Sequence, residues 1–130
     1  MDQATLRKAV AYLRAHPSTF LATVAGQEPW VRAMWVARVD DDGTLWYGCA
    51  VTSNKVAQIR ANPHACVAGG EGMTGVRLFG IAEVLTDAAT KAAVWQDGFQ
   101  DYFAGPDDPA LAIIKITPTR VEVWNVSSPT

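Results

Sequence analysis

The sequence predicts a mainly β protein, a small β-barrel with peripheral helices. Segments rich in β-branched and aromatic residues account for six or seven strands, whereas only three segments have a helical pattern. Short turns containing Gly, Pro or Asp join most of the strands, which favours antiparallel hairpins over alternating βαβ units. Long strands joined in this way close most economically into a barrel. A sheet with helices on one face is the alternative.

The predicted elements follow in order from these patterns. The first helix carries Leu6, Val10 and Leu13 on one face and ends before Pro17. A second, short helix begins after Ser53 and ends at the Asn62-Pro63 boundary. The third predicted helix spans 87–103 and places Trp95, Phe99 and Tyr102 on one face. The predicted strands are 18–25, 30–39, 44–51, 64–70, 76–85, 111–117 and 120–126.

Length and composition indicate one globular domain, 1–130, with 49% hydrophobic and 18% charged residues. Eleven basic and thirteen acidic residues give a net charge of −2 without a basic stripe, so nucleic acid is not an expected partner. No apolar run is long enough to span a membrane. The first residues lack the layout of a signal peptide, which predicts a cytoplasmic protein. Cys49 and Cys66 lie in apolar segments and are expected to be buried, reduced thiols, and no spacing predicts a metal site.

Alternation along 30–39 divides this strand into two faces. One face carries Trp30, Arg32, Met34, Val36 and Arg38. The other carries Val31, Ala33, Trp35, Ala37 and Val39, and its apolar character predicts that it faces the core. Arg32 is then either a solvated strand arginine or a ligand for an anion, to which a planar guanidinium is well suited.

The segment TSNK, residues 52–55, combines a helix start with a misplaced charge. Ser53 is a good N-cap, but Lys55 lies in the first turn, where the helix dipole disfavours a cation. A phosphate bound there would be stabilised by the helix dipole, the hydroxyl groups and the lysine together. A solvated lysine beside an ordinary serine cap is the alternative.

The tryptophans and the catalytic motifs are less informative. Trp35, Trp46 and Trp95 fit apolar faces and are predicted to lie in the core, whereas Trp124 could cover a planar ligand or pack in the core or a dimer contact. Nucleophile elbows and phosphate-binding loops are absent from the sequence. A cofactor would therefore supply any chemistry.

The order of several short motifs resembles the pyridoxamine 5′-phosphate oxidase-like family of flavin-binding split barrels, and within it the general stress protein 26-like branch. The resemblance covers residues 18–126. It is carried by Arg32-Ala33-Met34, DDDGTLWYG, TSNKVAQIRANPHACV, FGIAEVL and W-x3-F-x2-YFAGPDDP leading to RVEVW.

The resemblance implies an antiparallel split barrel that forms a homodimer with one FMN in each of two clefts between the subunits. Arg32 and Lys55 would hold the FMN phosphate, helped by the hydroxyl groups of Ser53 and Thr52. Trp124 would reach FMN from the partner subunit. The remaining implied flavin contacts are the main chain of Ala33, Met34 and Trp35, and the cleft-lining Tyr47 and Gly48.

The sequence departs in two places from the pattern of the pyridoxamine 5′-phosphate oxidases themselves, and both departures bear on activity. After Trp124 the chain continues Asn125-Val126-Ser127 without the Arg/His segment that grips the substrate phosphate, and Gly75 stands where a polar side chain is common. We therefore expect an FMN-dependent oxidoreductase that is not a pyridoxamine-phosphate oxidase and that works between a nicotinamide-type donor and a small acceptor. No catalytic acid or base can be named. The alternatives are a non-catalytic flavin-binding or stress-response module, and a deazaflavin- or haem-binding member of the same fold.

Overall fold

The computed structural model describes residues 1–129, which form seven strands, three α-helices and one 3₁₀ helix. The helices are α1 (Gln3–Ala15), α2 (Asn54–Ala61) and α3 (Ala88–Val94), and the 3₁₀ helix spans Asp97–Asp101. The strands are β1 (Ser18–Ala25), β2 (Glu28–Trp35), β3 (Arg38–Val39), β4 (Leu45–Ala50), β5 (His64–Glu71), β6 (Thr74–Leu85) and β7 (Leu111–Trp124).

The strands form one antiparallel sheet in the order β2-β1-β5-β6-β7-β4-β3. The two edge strands, β2 and β3, are separated in the chain by only Val36 and Ala37. The edges must therefore meet, and the sheet curls into a barrel. The Val36 amide donates to the Pro17 carbonyl and the Ala37 amide to the Trp46 carbonyl, both at 2.8 Å, which fixes this junction. The predicted mainly β fold is confirmed.

The barrel interior holds the main core, and α1 packs against strands β3, β6 and β7. Its first turn is capped by the Asp2 carboxylate, which accepts from the Thr5 amide at 3.0 Å. A second, smaller cluster lies on the opposite face of β7, where Leu111 and Ile113 alternate with the inward Ala112 and Ile114. This outer cluster packs α3 and the segment after it against the barrel, and its other members are Ala37, Val94, Trp46, Leu85, Trp95, Phe99 and Phe103.

The predicted face assignment of strand 30–39 is wrong for the part that forms β2, although Ala37 and Val39 are buried as predicted. Val31 and Trp35 are 67% and 64% exposed, whereas Arg32 and Met34 on the opposite face are half-buried. The strand also ends at Trp35 rather than continuing to 39. The apolar face of β2 therefore lies on the outside of the barrel and is left uncovered in the single chain.

Two other predicted boundaries differ from the structure. The segments 111–117 and 120–126 form one strand, because a bulge accommodates Pro118: it pairs with Gly80 while Arg120 pairs with Phe79. The predicted helix 87–103 ends at Val94, and the extended backbone of Trp95 separates it from the 3₁₀ helix. None of the helices within residues 1–129 is long and apolar enough to cross a membrane.

Candidate functional site

The N-terminus of α2 lacks the cap that the other α-helices possess. The carboxylates of Asp2 and Asp87 accept hydrogen bonds from first-turn amides of α1 and α3. Ser53 occupies the same position before α2, but its side chain makes no cap hydrogen bond. Its hydroxyl oxygen is buried and has no hydrogen-bond partner within residues 1–129. A buried polar atom of this kind requires an explanation, and a bound anion at the positive end of the helix supplies one.

Lys55 adds a positive charge at the same place. It is half-buried in the first turn of α2, which contains no acidic residue, and it forms no salt bridge with any residue from 1 to 129. Its charge is felt by the neighbouring Cys49, whose thiol pKa is raised by burial and partly lowered again by Lys55. The Ser53 hydroxyl lies near this thiol, but the two groups do not have the geometry of a hydrogen bond. The helix end therefore presents an uncompensated cation.

Arg32 is a second cation without a carboxylate partner in the described chain. Its Nη1 donates to the Leu21 carbonyl at 3.1 Å and to Thr23 Oγ1 at 2.9 Å, and its Nη2 donates to Gln58 Oε1 at 2.9 Å. Three of the five guanidinium N–H groups are used in this way, and two remain. Burial lowers the pKa of Arg32. Gln58 lies one turn after Lys55 on α2, so this hydrogen bond ties Arg32 to the same helix.

A narrow cavity adjoins this helix end, and it shares Met34, Gly48, Tyr102 and Phe103 with a second, wide cavity. The narrow cavity has a volume of about 390 Å³, and the wide cavity about 680 Å³. The narrow cavity is completed by Cys49, Ala50, Ser53 and Lys55, and the wide cavity by Ala33, Trp35, Gln96, Gly98 and Phe99. Both volumes are typical of small-molecule sites.

Gly48 allows an aromatic side chain to approach the barrel wall between the cavities. A Cβ atom at this position would lie 2.5 Å from the Phe99 ring, so any larger residue would displace the ring. The segment that carries Phe99 is held by the edge-on contact between Trp95 and Phe99, with ring centroids 5.6 Å apart, and by a hydrogen bond from the Gln96 amide nitrogen to the Ala37 carbonyl.

The structure brings most of the sequence-predicted site residues together. Met34, Gly48, Ser53 and Lys55 line the narrow cavity, and Ala33 and Trp35 line the wide one. Arg32 lies two residues before Met34 on the same face of β2, a separation of about 7 Å along a strand.

Besides Arg32 and Trp124, two predicted residues do not line these cavities. Tyr47 is fully buried in the core, with its hydroxyl 2.9 Å from Thr19 Oγ1, and burial raises its pKa. Its neighbour Gly48 points to the opposite face of β4 and reaches the cavities instead. Thr52 is exposed in the turn before α2.

Trp124 lies apart from both cavities within one chain. It pairs with Gly75 at the end of β7, where a Cβ atom on Gly75 would come within 2.4 Å of the indole, and the Arg77 guanidinium lies 5.3 Å from the ring centroid. It lines a third cavity of about 250 Å³ together with Phe20 and residues 69–72 at the end of β5. A contact between Trp124 and a flavin on a second chain remains a prediction.

Several site residues were missed by the sequence reasoning. Thr23 and Gln58, which hold Arg32, come from different elements, and no local motif marks them. Gln96 and Phe103 belong to the segment predicted as one helix, in which Gly98 was the available sign of a break. Within residues 1–129 no group of three His, Cys, Asp or Glu side chains could hold a metal ion.

Comparison with known proteins is consistent with this architecture. The sequence profile of the family described as pyridoxamine 5′-phosphate oxidase matches residues 6–125. General stress protein 26 of Bacillus subtilis (strain 168) is 27% identical over an alignment that covers 100% of this chain and 96% of the relative.

Two solved structures illustrate the similarity in fold. The general stress protein 26 structure from Bacillus anthracis str. Sterne is 22% identical, with a TM-score of 0.82 over 94% of this chain and 95% of that one. An F420 reductase is 24% identical, with a TM-score of 0.67 over 85% of this chain and 94% of that one. Because the family profile matches nearly the whole sequence, the chain belongs to the pyridoxamine 5′-phosphate oxidase family.

Proposed function

We propose that this chain is an FMN-binding flavoprotein that holds the FMN phosphate at the N-terminus of α2. The observation that carries the proposal is the buried Ser53 hydroxyl without a partner, at an uncapped helix end. A phosphate there would accept hydrogen bonds from Ser53, from Lys55 and from the first-turn amides of α2. The two unused N–H groups of Arg32 would complete the set.

The flavin ring would extend from this phosphate along the main chain of residues 33–35 toward the wide cavity. When bound, FMN supplies hydride or electron transfer. The residues of the chain bind and orient the cofactor and shield it from water, and the lining of the two cavities contains no carboxylate or histidine that could move a proton. Family membership supports an oxidoreductase, for which we propose a nicotinamide-type donor and a small acceptor other than pyridoxamine 5′-phosphate.

A deazaflavin is the second candidate cofactor, favoured by the likeness in fold to an F420 reductase. The absorption spectrum of the purified, cofactor-loaded protein distinguishes FMN, deazaflavin and haem. Loss of the flavin absorbance on addition of reduced nicotinamide dinucleotide would indicate an enzyme, and its persistence would favour a protein that binds flavin without turnover.

The phosphate assignment is tested by comparing FMN with riboflavin, which lacks the phosphate. Lys55→Ala and Arg32→Ala should each weaken FMN about 10- to 150-fold, because a charge-assisted hydrogen bond contributes about 1.5–3 kcal/mol. Both should leave riboflavin affinity nearly unchanged. Arg60→Ala is the matched control, since it removes the same charge from the exposed last turn of α2.

The outcomes distinguish a direct loss of phosphate contacts from an indirect effect of the substitution on the fold. Equal losses for FMN and riboflavin in Lys55→Ala would mean that the substitution acts through the structure. Unchanged FMN affinity in both site variants, or a loss in Arg60→Ala as large as theirs, would mean that the phosphate is held elsewhere.

A further inference from the structure

The wide cavity has a lining without any charged side chain. Four of its nine residues are aromatic, Trp35, Phe99, Tyr102 and Phe103, and its polar side chains are those of Gln96 and Tyr102. The narrow cavity, in contrast, contains the ammonium group of Lys55. The two connected spaces therefore differ in the ligand charge that they can accept.

The surroundings of the wide cavity strengthen this difference. The only charged residues in the covering segment, 95–103, are Asp97 and Asp101, which are exposed and lie outside the lining. An anion entering the cavity would lose its hydration without meeting a cation in the lining. A neutral aromatic ring would instead gain burial and ring-to-ring contacts.

The polar groups also suit an uncharged ligand. One N–H group of the Gln96 amide donates to the Ala37 carbonyl, which leaves the second N–H group as a donor and the amide oxygen as an acceptor. The Tyr102 side chain is 83% exposed at the mouth that the two cavities share, so its ring can turn toward a ligand without disturbing the core.

We infer that the wide cavity is the binding site for an uncharged, planar aromatic molecule, and that the small acceptor reduced by the flavin belongs to this class. The inference rests on the proposed function. One wall of the cavity is β2 and the other is the covering segment, 95–103. A flavin ring along β2 therefore leaves the aromatic side chains of the covering segment to bind a second ring. A phosphorylated ring is disfavoured, because Lys55 and Arg32 are assigned to the cofactor phosphate.

The test compares 2-naphthamide with 2-naphthoate, two isosteric rings that differ in charge, by calorimetric titration into the FMN-loaded protein. The naphthamide should bind at least tenfold more tightly. In Gly98→Lys the added ammonium group should raise naphthoate affinity at least tenfold with little effect on naphthamide. A Cβ atom at position 98 meets no atom within 4 Å, so the variant should fold normally. Ala89→Lys, which adds the same charge on the exposed face of α3, should change neither affinity.

Equal affinities of the two compounds for the wild type, or no binding of naphthamide, would overturn the inference while FMN binding still supported the proposed function. A naphthoate affinity that is unchanged in Gly98→Lys would also overturn the inference. If FMN itself fails to bind, the proposed function falls and the same comparison on the flavin-free protein decides: a tenfold preference for naphthamide supports the cavity assignment, and equal affinities overturn it.

Discussion

At the scale of single residues, Ser53 combines a helix-capping position with a hydroxyl that caps nothing. Most caps stabilise the fold, as Asp87 does by accepting from the Thr90 amide at 3.0 Å. A buried hydroxyl without a partner costs stability instead. Residues that weaken a fold in this way are expected where a bound ligand supplies the missing hydrogen-bond partner.

Ser53→Ala should therefore separate binding from stability. We expect the free energy of unfolding of the flavin-free protein to be no lower than that of the wild type, since an unsatisfied polar atom is removed. FMN affinity should fall about tenfold or more, because a hydrogen bond to a charged phosphate is lost. Urea denaturation and FMN titration measure the two effects.

Asp87→Ala is the matched comparison and should show the opposite pattern. Loss of its cap should cost about 0.5–2 kcal/mol of stability and leave FMN affinity unchanged. If Ser53→Ala destabilises the flavin-free protein as much as Asp87→Ala does, the serine is an ordinary cap and the phosphate assignment loses its main support.

The same residues show what a sequence can predict about a site. Ser53 and Lys55 lie within three positions, and their chemistry conflicts with the helix they begin, so local reasoning finds them. Tyr47 and Gly48 are neighbours on opposite faces of β4, and nothing local indicates which one meets the cavities. Gln58 belongs to the site because it accepts a hydrogen bond from Arg32, and the two residues come close only after β2 and α2 have packed together.

At the scale of elements, α3 and the 3₁₀ helix form a cover on the outside of the barrel. The Asp108 carboxylate accepts hydrogen bonds from the Ala104 and Ala110 amides, both at 2.9 Å, and the buried Lys91 donates to the Asp108 carbonyl at 2.7 Å. These bonds shape the loop between the cover and β7. The hydrogen bonds from the Ala104 and Ala110 amides hold the pKa of Asp108 below its ordinary value.

The lowered pKa of Asp108 predicts a pH dependence of stability. A carboxylate whose pKa is lower in the folded state stabilises the fold above its ordinary pKa of 3.8, and this contribution is lost as pH falls through the folded-state value. Asp108→Asn should thus be less stable than the wild type at pH 7, and the difference should shrink below pH 3.8. Urea denaturation across this range measures it. A difference that stays constant with pH would show that the charge of Asp108 contributes nothing.

Gly48 controls how closely the cover approaches the barrel. Gly48→Ala places a Cβ atom within 2.5 Å of the Phe99 ring, so the ring must move, and overpacking of this kind costs about 1–3 kcal/mol. Thermal denaturation and near-ultraviolet circular dichroism report stability and ring packing. Gly98→Ala is the control, because its Cβ atom meets nothing within 4 Å. Equal effects of the two substitutions would contradict the close contact.

Element boundaries were predictable where local chemistry decides them. The helix α1 ends before Pro17 as expected, and α2 ends at Ala61, with Asn62 as its C-cap before Pro63. The sequence does not indicate that β7 continues through Pro118, because the bulge that accommodates the proline depends on its pairing with β6. Likewise, the aromatic spacing of 95–103 is typical of a helix face, but only Phe99 lies in the 3₁₀ helix. Trp95 packs in the outer cluster from the residue after α3, and Tyr102 is exposed.

At the scale of the whole molecule, apolar residues cover the outside of three adjacent strands. The register places Val31, Ala22 and Cys66 in one row across β2, β1 and β5, and Ala33, Phe20 and Ala68 in the next. Val31 and Phe20 are among the most exposed large apolar side chains. The sequence assigned the β2 side of this surface to the core, because a face that meets a core and a face that meets a second chain have the same apolar pattern.

The continuous apolar surface predicts a homodimer formed through β2, β1 and β5. Contiguous apolar patches of this kind mark interaction sites, and obligate dimers bury on the order of 2,000 Å² or more. Light scattering should give twice the 14.0 kDa mass of one chain. Val31→Lys, which places a charge within the patch, should shift the protein toward 14.0 kDa. If Trp124 covers the flavin of the partner subunit, the same substitution should also weaken FMN.

Ala89→Lys controls for the added charge, since it lies on α3 and outside the patch, and it should remain dimeric. A wild-type mass of 14.0 kDa at micromolar concentration with flavin bound would rule out the dimer. In a dimeric protein, Val31→Lys monomers that bind FMN as tightly as the wild type would show that the cofactor site is complete within one chain. Trp124 would then serve only to pack against Gly75 at the end of β7.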